Sequence, residues 1–493
     1  MLPSRREVLA GLSAAAVSSV AGAASVRPPN VLFVMTDQHR HDALSCAGRG
    51  FFQTPNIDRL AAEGVRFSHH FCASPLCTPA RAALLTGLTM DRHGLTRNVP
   101  AKRAWGGGFQ TWEERLAGAG YHCRYFGKWH TGDGHMTPYV GGIAHYRNQY
   151  KAFLEQFYPE RELAPGQKRD RYFDMPYTPL PIDDMMLAAR RSKRFMPHHN
   201  EAGEIDIDAA HTPTAHVVDQ TIRFLRTAPE PFSVTCSILS PHAPMLLPRP
   251  WLGRHDPADA PLPSNIVDDH ALPRPSAIPD IVPADASGVG AFVALYADMV
   301  EEVDHHVGRL LRALRTAGLD GRTVVVFTAD HGEMMGSHGT FAKSLLFDEA
   351  LRVPLIVRAP GGPAGVVDAR LCSSTEVATT ILARAGIESR LPGRDLLTDT
   401  TDRGPIVSEF ETNDGDRART IRTQRHKLIL RGGRARLYNL ENDAGEQHNL
   451  LSRDNTTPTH RQRADQLRDQ LVAWAEDNDA AHLRDIKRAR MRG

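Results

Sequence analysis

An α/β fold, with a large, mostly parallel sheet sandwiched by helices and a small C-terminal antiparallel-sheet subdomain, is predicted for this 493-residue chain. Three observations carry the prediction. Short apolar runs that end in Asp occur at 30–37 and 323–330. Stretches of helical periodicity alternate with runs of this kind. After Leu396 the texture changes to short strands and turns.

The elements follow in chain order. Residues 30–37, Asn-Val-Leu-Phe-Val-Met-Thr-Asp, form a run with no polar alternation and read as a strand buried on both faces. Thr54-Pro55 followed by 56–63 reads as a capped helix with Pro at its first position, stopped by Gly64. Pro79 suits the first turn of a helix running through Leu85, which leaves Cys77 near its N-terminus. Residues 136–208 have little periodicity and many aromatics, Arg and Pro, as expected of an insertion decorating a site. Residues 232–239 read as a second buried strand and 291–319 as a long helix ending near Gly318. The strand 323–330 repeats the opening pattern, 353–357 is a further short strand, and 376–385 a helix. Residues 421–430 and 434–438 and the acidic turn 441–443 fit a small antiparallel sheet, closed by a helix over 461–475. The domain plan is therefore 28–400 for the α/β domain and 401–493 for the C-terminal subdomain. Both acid-tipped strands would place their Asp at the C-terminal edge of the sheet, where open α/β sheets hold their ligands.

Composition excludes several classes. Hydrophobic residues make up 41% and charged residues 24%, the balance of a soluble globular enzyme or binding protein. A net charge of +2 rules out a nucleic-acid binder that works by bulk charge. No apolar run reaches the roughly 20 residues of a membrane span. The six Cys are too sparse for a disulfide scaffold. Arg outnumbers Lys 51 to 8, which makes a Lys inside a motif more telling than usual. Residues 1–27 read as an export signal of twin-arginine type: Arg5-Arg6, an apolar small-residue stretch, then a cleavage site at Ala21-Gly22-Ala23. The expected location is periplasmic or extracellular.

The sharpest chemical signal is Cys77-Thr78-Pro79-Ala80-Arg81. A thiol at a helix N-terminus sits among free N–H groups that favour an anion, and Arg81 lies one turn on. From here the chain resembles the formylglycine-dependent sulfatases of the alkaline-phosphatase superfamily. The resemblance is carried, in the family's order, by Asn30 to Asp37-Gln38, by Thr54-Pro-Asn-Ile-Asp-Arg-Leu-Ala-Ala-Glu-Gly64 and by Cys77-Thr-Pro-Ala-Arg81. It continues through Gly127-Lys128-Trp129-His130, Ser240-Pro241-His242, Asp330-His331-Gly332, Lys343, Arg352-Val-Pro-Leu-Ile356 and 436–443.

The resemblance implies that Cys77 is oxidised by a formylglycine-generating enzyme to an aldehyde held as its hydrate. The chemical reason is release: a Ser would be left as a stable sulfate ester, whereas a geminal diol attacks through one hydroxyl and expels sulfate when the other is deprotonated. It further implies one calcium ion held by Asp37, Gln38, Asp330 and His331 with the oxygen formed at Cys77. Arg81 and Lys128 would neutralise the anions, and His130 would be the base for release. His242 and Lys343 would bind sulfate and protonate the leaving alcohol, and Asp330 would take the first proton. Gln38 is neutral and His331 offers nitrogen, a departure that resembles the choline-sulfatase and phosphonate-monoester-hydrolase branches.

Blander duties exist for the same residues. Cys77 could pair with Cys72, the two Asp could cap helices, and the lysines could be solvated. His69, His70, His198 and His199 are expected to be surface or structural. The expected activity is hydrolysis of a sulfate ester, the substrate a sulfated carbohydrate or other small organic sulfate. The rivals are a phosphonate-monoester or phosphodiester hydrolase with the same site, and an inactive sulfate- or glycan-binding relative; a two-zinc phosphatase would need more His and Asp ligands.

Overall fold

Continuous apolar runs are hidden only in strands covered on both faces, and the computed structural model places them there. It describes residues 27–98, 109–131, 143–159, 162–170, 172–182, 201–266, 286–402, 404–412, 415–478 and 486–487. Strands β1 (Asn30–Asp37), β2 (Val65–Phe67), β3 (His122–Gly127), β4 (Phe232–Pro241), β5 (Thr323–Ala329), β6 (Leu355–Arg358) and β7 (Val366–Asp368) form one sheet in the order β7-β2-β6-β5-β1-β4-β3. Only β6 runs against its neighbours, so the sheet is mainly parallel.

The helices include α1 (Pro55–Ala62), α2 (Cys77–Thr86), α3 (Ile143–Glu155), α4 (Pro213–Leu225), α5 (Ala286–Thr316), α6 (Asp348–Leu351), α7 (Thr375–Arg384) and α8 (Pro458–Asp477), beside short ones at Met90–His93 and Trp112–Gly118. Period-two alternation along β1 feeds two cores. Leu32 and Val34 pack with Ile57 of α1, Val218 of α4 and Val307 of α5. Val31, Phe33 and Met35 pack with Leu84 of α2 and Ile381 of α7 on the other face. Each buried Leu, Val or Phe contributes about 1.5–3 kcal/mol, so these cores hold the layers more firmly than helix propensity does.

The C-terminal sheet is an antiparallel meander of β8 (Ile406–Glu411), β9 (Arg417–Arg422), β10 (His426–Arg431) and β11 (Arg434–Asn439), with α8 across it through Leu467 and Leu471. A buried ion network fastens it to the large sheet. Lys427 donates to Asp348 of α6 and pairs with Glu446, and Arg422 also donates to Asp348. Burial alone would raise Asp348, but Lys427 and Arg422 outweigh it and hold the carboxyl far below the usual range.

The structure departs from the sequence reading in several places. Thr54 does not cap α1 through its side chain. It donates to Asp58, and the first turn is capped instead by Asp304 of α5, which accepts from the Asn56 and Ile57 amides at 3.0 and 2.8 Å. The run 421–430 is not one strand: a turn at Thr423–Arg425 divides it between β9 and β10. The described part of 136–208 is more ordered than expected, with α3 and short strands at Lys168–Arg169, Pro176–Pro179 and Ala202–Ile205. Tyr150, Phe173 and Tyr177 join the core under α4, so this stretch is part of the main body. His70 is buried and pushed down to about 4 by that burial, hence neutral and structural. The export segment 1–27, beyond Arg27 itself, and His198 and His199 lie outside the described residues. Among those described, every cysteine is free and no helix is long and apolar enough to cross a membrane.

Candidate active site

Two neighbouring parallel strands end side by side: Thr36 pairs with Ala329, so Asp37 and Asp330 leave the C-terminal edge together. A register shift between Thr36 and Asp37 bends the end of β1, and Gln38 follows with φ 61°. The Asp330 amide donates to the Thr36 carbonyl at 3.2 Å and the Gln38 amide to Asp330 Oδ1 at 3.1 Å, which ties the two strand ends across. Neither Asp is followed by a helix that it could cap.

Helix α2 points its N-terminus at this edge. Leu76 is extended and Cys77 is the first helical residue, while Gly87 closes the other end at φ 69°. Arg81, one turn on and fully buried, bridges the two acids. Its Nε donates to Asp330 Oδ2 at 2.8 Å and its Nη2 to Asp37 Oδ2 at 2.9 Å. Nη1 donates to the Lys128 carbonyl at 2.7 Å and Ser237 Oγ at 3.0 Å, which locks the loop after β3 to the same fork.

The Cys77 sulfur lies at the centre. His331 Nε2 is 3.2 Å away, Lys343 Nζ 3.1 Å, Lys128 Nζ 3.9 Å and Asp37 Oδ1 4.0 Å. His242 Nε2 lies 3.9 Å from Asp37 Oδ1, and the His130 carbonyl accepts from Thr78 Oγ1 at 2.7 Å, which holds that imidazole beside Cys77. Lys128 Nζ donates to Asp37 Oδ2, and Lys343 Nζ to Gln38 Oε1 at 2.7 Å. Every residue expected from the sequence thus converges on one place: Asp37, Gln38, Cys77, Arg81, Lys128, His130, His242, Asp330, His331 and Lys343. Cys72 takes no part, since its thiol donates to the Ala350 carbonyl.

The electrostatics follow from these contacts. Burial would raise the Cys77 thiol, but Lys128, Lys343 and His331 outweigh it and hold it well below its ordinary value. Burial and the thiol would raise Asp37, yet Lys128, His242 and Lys343 keep its carboxyl well below the carboxylate range. Asp330 is pushed up to about 6 by burial and then by Asp37. Burial also lowers His130, and burial with Lys343 takes His242 down to about 4, so both imidazoles are neutral at pH 7. His331 goes the other way: burial is the largest single effect and would lower it, but the attractions of Asp330 and Cys77 together outweigh burial and Lys343 and raise it.

The donor set suits a divalent cation. One atom each from Asp37, Cys77, Asp330 and His331 lie within 4.8 Å of one another, all buried. His331 Nδ1 donates to the Gly332 carbonyl at 3.0 Å, which turns the lone pair of Nε2 inward, 3.6 Å from a carboxylate oxygen of each Asp.

Sequence reasoning missed Glu333 and Tyr296, which touch Gln38 from behind, and Ser237, which donates to the Lys128 carbonyl at 2.7 Å. Glu333 had a signal, standing directly after the Asp330-His331-Gly332 motif; the other two are fixed by chain crossings and had none. Gly332 is required sterically: a Cβ there would lie 2.0 Å from the Glu349 carbonyl. Gly332→Ala is expected to destabilise the protein by at least about 2 kcal/mol, as overpacking does, read as a lowered melting temperature. An unchanged melting curve would show that the Asp330–Glu333 segment is not clamped against α6.

Comparison with known proteins yields matches over nearly the whole chain. The family model described as Sulfatase matches residues 29–387, and that described as N-sulphoglucosamine sulphohydrolase, C-terminal, matches 336–474. The sulfatase YidJ of Escherichia coli (strain K12) is 31% identical over 444 residues, spanning 86% of this chain and 84% of that one. An N-acetylglucosamine-6-O-sulfatase of Bacteroides thetaiotaomicron is 26% identical over 495 residues, 92% of this chain and 87% of the relative. Among solved structures, the phosphonate monoester hydrolase of Agrobacterium radiobacter superposes with a TM-score of 0.73 at 24% identity, covering 91% of this chain and 96% of that one.

Proposed function

The chain belongs to the sulfatase family, and from that premise we propose that it hydrolyses a sulfate ester of a carbohydrate or other small organic molecule through a formylglycine made from Cys77 and one calcium ion. The observation that carries this reading is the placement of the Cys77 sulfur. It sits at a helix N-terminus, 3.1 Å from Lys343 and 3.2 Å from His331, beside two carboxylates. A structural thiol requires none of these. The carbohydrate class rests on relatives such as the N-acetylglucosamine-6-O-sulfatase.

The proposed reaction converts R–O–SO3⁻ and water to R–OH and hydrogen sulfate. Asp37, Gln38, Asp330 and His331 would hold the cation, which supplies charge for the sulfate oxygens and for the attacking hydroxyl. Formylglycine, as its hydrate, supplies two hydroxyls on one carbon, one to attack and one to allow release. The chain's own groups do the rest. Arg81 fixes the two carboxylates, and Lys128 and Lys343 bring positive charge to within 4 Å of the reacting side chain. Asp330 takes the proton of the attacking hydroxyl. Lys343 donates to the leaving oxygen, together with His242 once a bound anion restores its proton. Neutral His130 accepts the proton whose loss releases sulfate.

A second reading, a phosphonate monoester hydrolase, is favoured by Gln38 and His331, which leave only two carboxylates among the ligands. Matched aryl sulfate and aryl phosphonate substrates decide between them. Sulfatase activity predicts the higher kcat/KM on the sulfate, and the reverse order assigns the protein to the phosphonate reaction. Chelation should lower kcat roughly 100-fold or more, since a bound cation contributes several kcal/mol, and calcium should restore it. Activity that survives exhaustive chelation would exclude the cation from the reading.

We place this enzyme outside the cytoplasm, with 1–27 as its export signal, 28–400 as the catalytic domain and 401–493 as the C-terminal subdomain. N-terminal sequencing of the secreted form tests the first part, with cleavage after Ala23 expected.

A further inference from the structure

Gln38 is the odd member of the ligand set. Its side chain is an amide, so only one of its two ends can face a cation, and its backbone sits at φ 61°. A non-glycine residue in that region is held there by its surroundings. Every polar group of Gln38 is engaged. The amide N–H donates to Asp330 Oδ1 at 3.1 Å, and the carbonyl accepts from Tyr296 Oη at 2.6 Å. The side-chain Nε2 donates to Glu333 Oε2, and Oε1 accepts from Lys343 Nζ at 2.7 Å.

These partners settle which way the amide points. An ammonium can only donate and a carboxylate can only accept, so Oε1 must face Lys343 and Nε2 must face Glu333. The same ammonium is 3.1 Å from Cys77 Sγ and 4.0 Å from Asp37 Oδ1, which puts the amide oxygen on the reacting side. Glu333 is itself fixed. It is fully buried, and its Oε1 accepts from the Met335 amide at 3.2 Å and from the Ala342 amide. Tyr296, on α5, accepts from the Arg40 amide at 3.1 Å and so anchors the backbone on both sides of His39.

We infer that Glu333 is a positioning residue for the cation: through its bond to Gln38 Nε2 it holds the amide with Oε1 inward, and Tyr296 holds the backbone turn that carries it. The inference rests on the reading above in which Gln38 is a ligand. Its consequence is a reversal of the amide. In Glu333→Gln the new carbonyl oxygen still accepts from the Met335 and Ala342 amides, which turns the new NH2 toward Gln38. Two NH2 groups cannot face each other, so Gln38 flips and presents its own NH2 to Lys343 and the cation, where it can bind neither.

The test is calorimetric titration of calcium chloride into the chelator-stripped, full-length protein, with the calcium-induced rise in melting temperature as a second readout. Glu333→Gln should weaken calcium roughly 10–100-fold, the usual cost of losing an outer-shell partner. The exchange variant Gln38→Glu with Glu333→Gln should return the affinity to within about threefold of the wild type or better, because a carboxylate at 38 accepts from both Lys343 and the new side-chain amide at position 333. Unchanged affinity in Glu333→Gln overturns the inference, as does an exchange variant no tighter than that single one. If Glu333→Gln does not accumulate as folded protein, the exchange variant still decides, since loss of its calcium binding also overturns the inference. Gln38→Ala separates the two layers: calcium bound as tightly as in the wild type would refute Gln38 as a ligand, whereas weakened binding there beside unchanged binding in Glu333→Gln refutes the role of Glu333 alone.

Discussion

Cys77→Ala should lower kcat for sulfate-ester hydrolysis by about 10⁴–10⁶-fold, the scale on which removal of a nucleophile acts, with little change in fold. The side chain makes no disulfide, and its loss leaves Arg81, Asp37 and Asp330 bonded to one another. Cys77→Ser separates two ways of being inactive. Its hydroxyl stands within reach of the same lysines and can attack, but it offers no second hydroxyl for release. One equivalent of alcohol should therefore appear and turnover should then stop, with sulfated serine found by peptide mass spectrometry. The depressed thiol pKa raises a competing possibility, that a thiolate itself is the nucleophile. Mass spectrometry across Cys77 in active wild-type protein answers it: formylglycine is expected, and a plain thiol in fully active material would overturn the assignment. Full turnover by Cys77→Ala would do so as well.

What the sequence revealed and what it hid have physical causes. β1 and β5 were legible because both faces are covered, which leaves unbroken apolar runs at 31–35 and 324–327 shortly before each terminal acid. β3 was not, because it lies at the sheet edge and alternates exposed His122 and Arg124 with buried Cys123 and Tyr125. β8 was hidden by its own acids. Glu409 and Glu411 are buried in a strand only because Arg419 and Arg417 of the next strand pair with them, a partnership invisible until the register is known. Thr54 looked like a helix cap, but a distant residue, Asp304, performs that duty. Within the site, residues at strand ends and helix starts carry local signatures, so Asp37, Cys77 and Asp330 were readable. Tyr296 acts from the middle of a 31-residue helix whose pattern announces only burial.

Arg81→Ala should be the most destabilising single change at the site. Its guanidinium is fully buried and spends its donors on Asp37, Asp330, Ser237 and the Lys128 carbonyl. Without it two carboxylates face each other in a low-dielectric interior, and breaking a buried pair in this way costs about 3–5 kcal/mol. The expected fall in melting temperature is roughly 3–6 °C for a chain of this length. Arg81→Lys should recover little, because one ammonium cannot bridge two acids and a carbonyl in the geometry of the fork. The pH dependence fixes the cause. Removing the guanidinium raises the folded-state pKa values of the Asp37–Asp330 pair, and Asp330 already stands at about 6. A pair raised above its unfolded values is stabilised when protonated and loses that stability as pH rises through the folded pKa. The deficit relative to wild type, measured with chelator present, should therefore be smaller at pH 5 than at pH 8. Calcium should then raise the melting temperature of the variant more than that of the wild type, since a cation replaces part of the missing charge. A deficit that grows on acidification would mean that Arg81 acts by filling space, and the electrostatic account of the paired acids would fail with it.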